Sequence, residues 1–140
     1  MRSNLYRLLA TLGFGVVTLC VAVPAHAQSW QLLNQSIALK SGESVELGQL
    51  YWVVDCRSQL KSPPEVTVMD GPPGVTATVE EAMVMARFQG CAKPVPGGKL
   101  KIKAGEIDDP SRTTLTLRVR YKTKDGDRDL SKTVNISLFP

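Results

Sequence analysis

The stretch from Thr113 to Phe139 alternates apolar and polar residues with a period of two, interrupted only at Asp125-Gly126. That is the period of a half-buried strand, not of a helix. Asp-Gly between two such runs predicts a β-hairpin closed by a two-residue type I′ loop, because Gly accepts the positive φ such a loop needs. In that register paired residue numbers sum to 251. Lys124 then faces Asp127 and Lys122 faces Asp129, so unlike charges stand opposite one another. Arg120, Arg118, Thr116 and Thr114 meet Ser131, Thr133, Asn135 and Ser137 on the same polar face. On the other face Tyr121 meets Leu130, Leu117 meets Val134, and Leu115 meets Ile136. A slip of one residue would set the apolar row against the polar one. Lys132 falls opposite Val119 on the apolar face, at a bulge or snorkelling at an edge.

The rest of the chain has the same texture. Ser41-Gly42, Pro63-Pro64, Asp70 to Gly74, Pro94 to Gly98 and Gly105 to Pro110 are turn signals at the spacing of an all-β sandwich or barrel. Between them the pattern predicts strands at 35–40, 44–48, 50–56, 65–70, 75–80, 82–88 and 99–104, with a further pairing segment at 30–34. Residues 82–88 are apolar on both faces and are expected at the centre of a sheet. No window of a dozen residues carries a helical stripe. The expected fold is therefore all-β, an antiparallel sandwich of about seven to nine short strands.

The first 27 residues have the pattern of a cleaved signal peptide. Arg2 and Arg7 precede an apolar run from Leu8 to Val23, and Ala25-His26-Ala27 supplies the small-x-small site before Gln28. Sixteen apolar residues fall short of the roughly 20 that span a bilayer. No paired arginine suits twin-arginine export, and Cys20 lacks a lipobox context. The expected organisation is a leader over 1–27 and one domain over 28–140, periplasmic or secreted, with no membrane span after cleavage. Without Arg2 and Arg7 the chain keeps 15 basic and 13 acidic residues, a net charge of +2.

Removing the leader also removes Cys20 and His26. Cys56 and Cys91 remain, and an exported chain with two cysteines most simply makes one structural disulfide. No C-x-x-C supports a redox pair. The absence of histidine removes His-based triads, general bases and metal ligands. Glu80-Glu81 and Asp108-Asp109 are neighbours in sequence, so on a strand each doublet points to opposite faces and makes no carboxylate pair. No phosphate loop or nucleophile motif is present. No enzymatic role and no cofactor are expected.

Leu39 to Leu47, Pro72 to Val79 and the terminal hairpin resemble the immunoglobulin-like β-sandwich modules of exported bacterial proteins. The resemblance runs from Gln35 to Phe139 at the level of architecture, with no family assigned. Antibody-type hallmarks are missing: Trp52 precedes Cys56, and Gln89 stands two residues before Cys91. The resemblance implies a module that binds, spaces or supports other proteins.

Four groups of residues are candidates for that work. Lys99, Lys101 and Lys103 share one strand face, and Arg118, Arg120 and Lys122 share another. Were those strands neighbours, they would form one face for an anionic ligand. The small net charge and the lack of interleaved aromatics argue against nucleic acid. Arg57, Lys61 and Lys93 lie in the loops that follow the two cysteines and form a possible rim site. Trp30, Tyr51 and Trp52 could stack on a sugar, with Trp52 alternatively covering the disulfide. Met83 and Met85, with Met69, have the softness for Cu(I) but are expected to pack in the core. The expected function is binding or structural support for an unidentified protein or envelope component, by a monomer. The alternatives are an inhibitor of an envelope enzyme, acting through the Ala92–Gly98 loop, or a binder of anionic envelope components.

Overall fold

A computed structural model describes residues 28–32 and 35–140, with side chains from Gln35 onward. Residues 1–27, expected from the sequence to be a signal peptide, lie outside the described residues. Nine strands are present among them: β1 (Gln28–Leu32), β2 (Ser36–Lys40), β3 (Ser44–Val54), β4 (Arg57–Ser58), β5 (Glu65–Asp70), β6 (Val75–Val84), β7 (Val95–Ala104), β8 (Ser111–Thr123) and β9 (Gly126–Phe139). One sheet has the order β1-β3-β7-β6, with β4 attached to β3. The other has the order β2-β9-β8-β5. The chain is all-β. All neighbouring strands are antiparallel except β2, which runs parallel to β9.

Alternation builds the core between the sheets. Leu47, Leu50, Leu100 and Ile102 from the first sheet meet Leu115, Leu117, Val119, Tyr121, Val134, Ile136 and Leu138 from the second, all essentially without solvent contact. Trp52 packs on Tyr121 inside this core, with ring centroids 5.3 Å apart and planes tilted by 52°.

Several sequence expectations change. Residues 44–48 and 50–56 form one strand, β3, because a bulge between Glu46 and Gly48 absorbs one residue. The bulge lets Leu47 and Leu50, three apart, both face inward. Residues 75–80 and 82–88 likewise join into β6, which ends at Val84 and is followed by a 3-10 turn, Arg87–Gln89. β6 lies at a sheet edge, not at its centre. Pro94 to Gly98 is not a turn, since β7 begins at Val95. Gly97 and Gly98 serve close strand approach instead. A Cβ on Gly97 would lie 2.3 Å from the Leu50 carbonyl oxygen, and one on Gly98 would lie 2.4 Å from Val79 Cγ1.

The terminal hairpin forms, but two residues out of the expected register. Thr123 pairs with Gly126, Lys122 with Asp127, Arg120 with Asp129 and Leu115 with Val134. Lys124 and Asp125 are the loop, and only Gly126 has positive φ, at 110°. A type I′ loop would need positive φ at both central residues. Thr123 decides the geometry. Its hydroxyl donates to the Gly126 carbonyl at 2.6 Å and accepts from the Asp125 amide at 3.3 Å. Gln59 also accepts from the Lys124 amide at 2.9 Å, and Leu60 bridges to Thr123. A shift of two keeps every side chain on its face, so the polar and apolar rows survive. Lys132 now stands opposite Leu117, with no bulge, on a stretch of β9 that β2 does not cover. Its half-buried position fits a snorkelling stem.

Candidate functional site

The disulfide end of the first sheet is built by a short hairpin and a flap. β3 turns into β4 through Asp55 and Cys56, whose φ values are +50° and +58°. Two successive left-handed residues make this the type I′ loop that the sequence suggested for Asp125-Gly126. Asp tolerates that conformation, while Cys carries a steric cost there. Cys56 is exposed at the tip of the loop and bonds to Cys91, with 5.4 Å between the Cα atoms.

The disulfide pins the segment between β6 and β7 over the outward face of the first sheet. Tyr51, Val53, Val84, Ala86, Cys91 and Val95 form a second buried cluster, separate from the main core. Tyr51, not Trp52, therefore packs with the disulfide. The left-handed turn at Asp55-Cys56 breaks the strand parity from which the Trp52 expectation followed. Burial raises the Tyr51 phenol above its ordinary pKa. With Tyr51 only 1% exposed and Trp52 turned into the core on the opposite face, these two rings form no sugar-stacking platform, and the Trp30 side chain lies outside the described residues.

Between the two buried anchors Ala86 and Cys91 the flap turns through Arg87–Gln89, and Gly90 closes it with φ +69°. The Gly90 amide donates to the Arg87 carbonyl at 2.9 Å. This turn presents Phe88 to solvent, 71% exposed, the most open of the large hydrophobic side chains among the described residues. Sequence reasoning placed Phe88 in a core strand, and only the flap geometry turns it out. Beside it the Gln89 side-chain nitrogen is buried and makes no hydrogen bond among the described residues.

The rim cations divide. Arg57 and Lys93, both exposed, flank the two cysteines. Arg87 joins them beside Phe88. Lys61 lies elsewhere: it borders a shallow pocket of about 140 Å³ with Leu60, Glu81, Pro96 and Gly97. Because β7 starts at Val95, the protruding segment is 87–94 and not Ala92–Gly98.

The two lysine- and arginine-bearing strands are not neighbours. β7 belongs to one sheet and β8 to the other, so their cations project from opposite outer faces of the sandwich. On the first, Lys101 makes an ion pair with Glu80. The hydrogen bond and charge of each partner hold the Glu80 carboxyl below its usual range and lift the lysine above its own. Lys99 and Lys103 lie on the same row, with Lys99 half-buried and Lys103 exposed. On the second face, Lys122 reaches Glu65 at 3.2 Å, and Arg120 binds Asp129 through two hydrogen bonds. That hydrogen-bonded pair lowers the Asp129 pKa and raises that of Arg120. Arg118, Arg120 and Lys122 thus alternate with Glu65, Asp127 and Asp129, so the cationic row is matched by a carboxylate row.

The methionines do not converge either. Met69 is on β5 of the second sheet and 51% exposed, and Met83 is on β6 of the first and 59% exposed. Neither packs in the core as expected, because both strands are sheet edges. Among the described residues no helix is long and apolar enough to cross a membrane.

No protein-family model, curated protein or solved structure matches the chain. The disulfide-braced flap and its charges are therefore the basis for a functional reading.

Proposed function

We propose that the chain is an exported immunoglobulin-like binding module without catalytic activity, and that the disulfide flap is its contact surface for a protein or another envelope component. The leader would occupy 1–27 and the module 28–140. The strand order supports the immunoglobulin-like reading: β1-β3-β7-β6 and β9-β8-β5 correspond to the ABED and GFC sheets of a constant-type domain. The disulfide departs from that pattern, because it staples a flap to the outside of one sheet and does not cross the core.

The observation that carries the reading is Phe88. An aromatic side chain 71% exposed, on a short turn whose two ends are buried, is a pre-organised anchor. Arg87, next to it in the turn, and Arg57 and Lys93, beside the two bonded cysteines, favour an acidic rim on the partner.

Two measurements test this. The N-terminus of protein recovered from an exporting host should be Gln28; an intact leader would overturn export by this route. Envelope extract passed over the wild type and over Phe88→Ser should yield a partner retained by the first and lost by the second. Equal retention on both, across growth conditions, would remove the flap as the contact surface.

A further inference from the structure

The edges of the second sheet are guarded. β2 is five residues long. β5 is six residues long, bulged between Val68 and Asp70, and framed by Pro63-Pro64 and Pro72-Pro73. The stretch of β9 that β2 leaves uncovered carries Arg128 and Lys132 on its inward row, opposite Tyr121 and Leu117. Short length, bulges, prolines and inward charges are the devices that stop a strand edge from pairing with another chain.

β6 has little of this. It spans ten residues, Val75–Val84, and pairs with β7 along its whole length with no shift of register. It contains no Pro, Lys or Arg. Among the described residues its other edge pairs with no strand. The outward row, Thr76, Thr78 and Glu80, is exposed. Glu80 is already engaged by Lys101, and Glu81, the single charge on the inward row, shares the shallow pocket with Lys61. Met83, on this strand, is 59% exposed.

We propose that the β6 edge pairs with the β6 edge of a second copy of this chain, antiparallel and centred on Thr78. Charge complementarity argues for a second copy as the occupant and favours one register. A two-fold axis normal to the sheet keeps outward residues opposite outward residues, so the centre must fall on a residue. Centring on Glu80 or Glu81 sets a carboxylate against its own copy, which is destabilising. Centring on Thr78 sets Glu80 opposite Thr76 of the second copy and Glu81 opposite its Val75. Thr76 stands beside Lys103 in the β6–β7 ladder. Glu80 therefore gains the second copy's Lys103 one strand farther along the row, and Lys103 makes no ion pair among the described residues. Seven residues of each strand, Val75 to Glu81, overlap. An edge pairing of that length is small beside the roughly 800 Å² per partner of a stable interface, so the dimer is weak and concentration-dependent.

The test uses the purified protein with its disulfide intact. Sedimentation should show a monomer–dimer equilibrium moving toward dimer as concentration rises. Thr76→Glu places a carboxylate against Glu80 of the second copy and should weaken the dimer about tenfold, since the symmetric interface contains the pair twice. Thr76→Lys should strengthen it, and both variants should keep the wild-type unfolding midpoint to within a few degrees because position 76 is exposed. Thr78→Cys should form a covalent dimer faster than Thr76→Cys. A mixture of Thr76→Cys and Glu80→Cys chains should give mainly the mixed dimer. A monomer at every concentration up to about a millimolar, or cysteine cross-linking no faster at 78 than at 76, would overturn the proposal. Either result leaves the Phe88 surface untouched, because the flap covers the outward face of the sheet and not the β6 edge.

Discussion

Arg120 holds Asp129 through two hydrogen bonds directly across the β8–β9 ladder, Nε to Oδ1 at 2.9 Å and Nη2 to Oδ2 at 3.2 Å. The pair lowers the carboxyl pKa in the folded state. A carboxyl with a depressed folded pKa contributes stability that is present above its unfolded value, about 3.9. That contribution is lost as pH falls through the lower folded value. The wild type should therefore lose stability on acidification more steeply than Asp129→Asn. Thermal midpoints measured between neutral pH and the bottom of the carboxylate range check this, and parallel curves would show the pair to be idle. The effect should be small, because both side chains are largely exposed.

Leu115 and Leu117 are equally buried, at 0% and 1% exposure, yet their cross-strand partners differ. Leu115 faces Val134, while Leu117 faces Lys132. Leu115→Asp buries an unpaired carboxylate and should cost about 4 kcal/mol or more. Leu117→Asp should cost less, because the Lys132 ammonium stands directly across the ladder and its positive charge offsets part of the burial penalty. Arg120→Ser, on the solvent face, should be the mildest of the three. Urea titration ranks the three, and a reversed order of the two Asp variants would refute the register.

The Cys56–Cys91 bond closes a loop with a sequence separation of 35. Its reduction should lower stability by roughly 3–4 kcal/mol in the chain-entropy model. It should also loosen the flap over Tyr51, so that the Tyr51 phenol, raised by burial, moves down toward its ordinary value. Ultraviolet titration of the oxidised and reduced protein reads this directly. An unchanged midpoint and an unchanged tyrosine titration after confirmed reduction would show that the bond holds nothing in place.

Gly97 and Gly42 are glycines for different reasons. A Cβ at Gly97 would meet the Leu50 carbonyl oxygen at 2.3 Å and Val84 Cγ2 at 2.7 Å, so Gly97→Ala must push apart β7 and its neighbours. It should cost about 2–3 kcal/mol. Gly42 has open space around it and φ +73°, so Gly42→Ala should cost only about 1 kcal/mol, from backbone conformation. Chemical denaturation of the two variants separates the causes.

The site was less legible in the sequence than the fold. Cys56 and Cys91 were identifiable as a pair once the leader was set aside, and Arg57 and Lys93 follow from their position beside them. Phe88 was not identifiable, since an aromatic at the end of an apolar run reads as core. Its exposure depends on where β6 stops and on how the flap crosses Tyr51 and Val53, which are contacts between distant segments. The supposed continuous basic face failed for a similar reason. Alternation tells which residues share a strand face, but not which sheet a strand joins.

By itself the sequence determined the strand period, the inward rows of β8 and β9, the polar row on their other face and the candidacy of Cys56 and Cys91 for a disulfide. These depend on local alternation and on counting residue types. The three-dimensional structure decided the hairpin register, through a local contact within the turn and a distant one beside it. Sums of 251 and 249 leave every side chain on the same face and oppose unlike charges equally well, so no pattern along the chain separates them. The choice came from the Thr123 hydroxyl on Gly126 and from Gln59 and Leu60 docking beside the turn. A hydrogen bond from a segment some sixty residues away carries no signature in the sequence of the turn it holds.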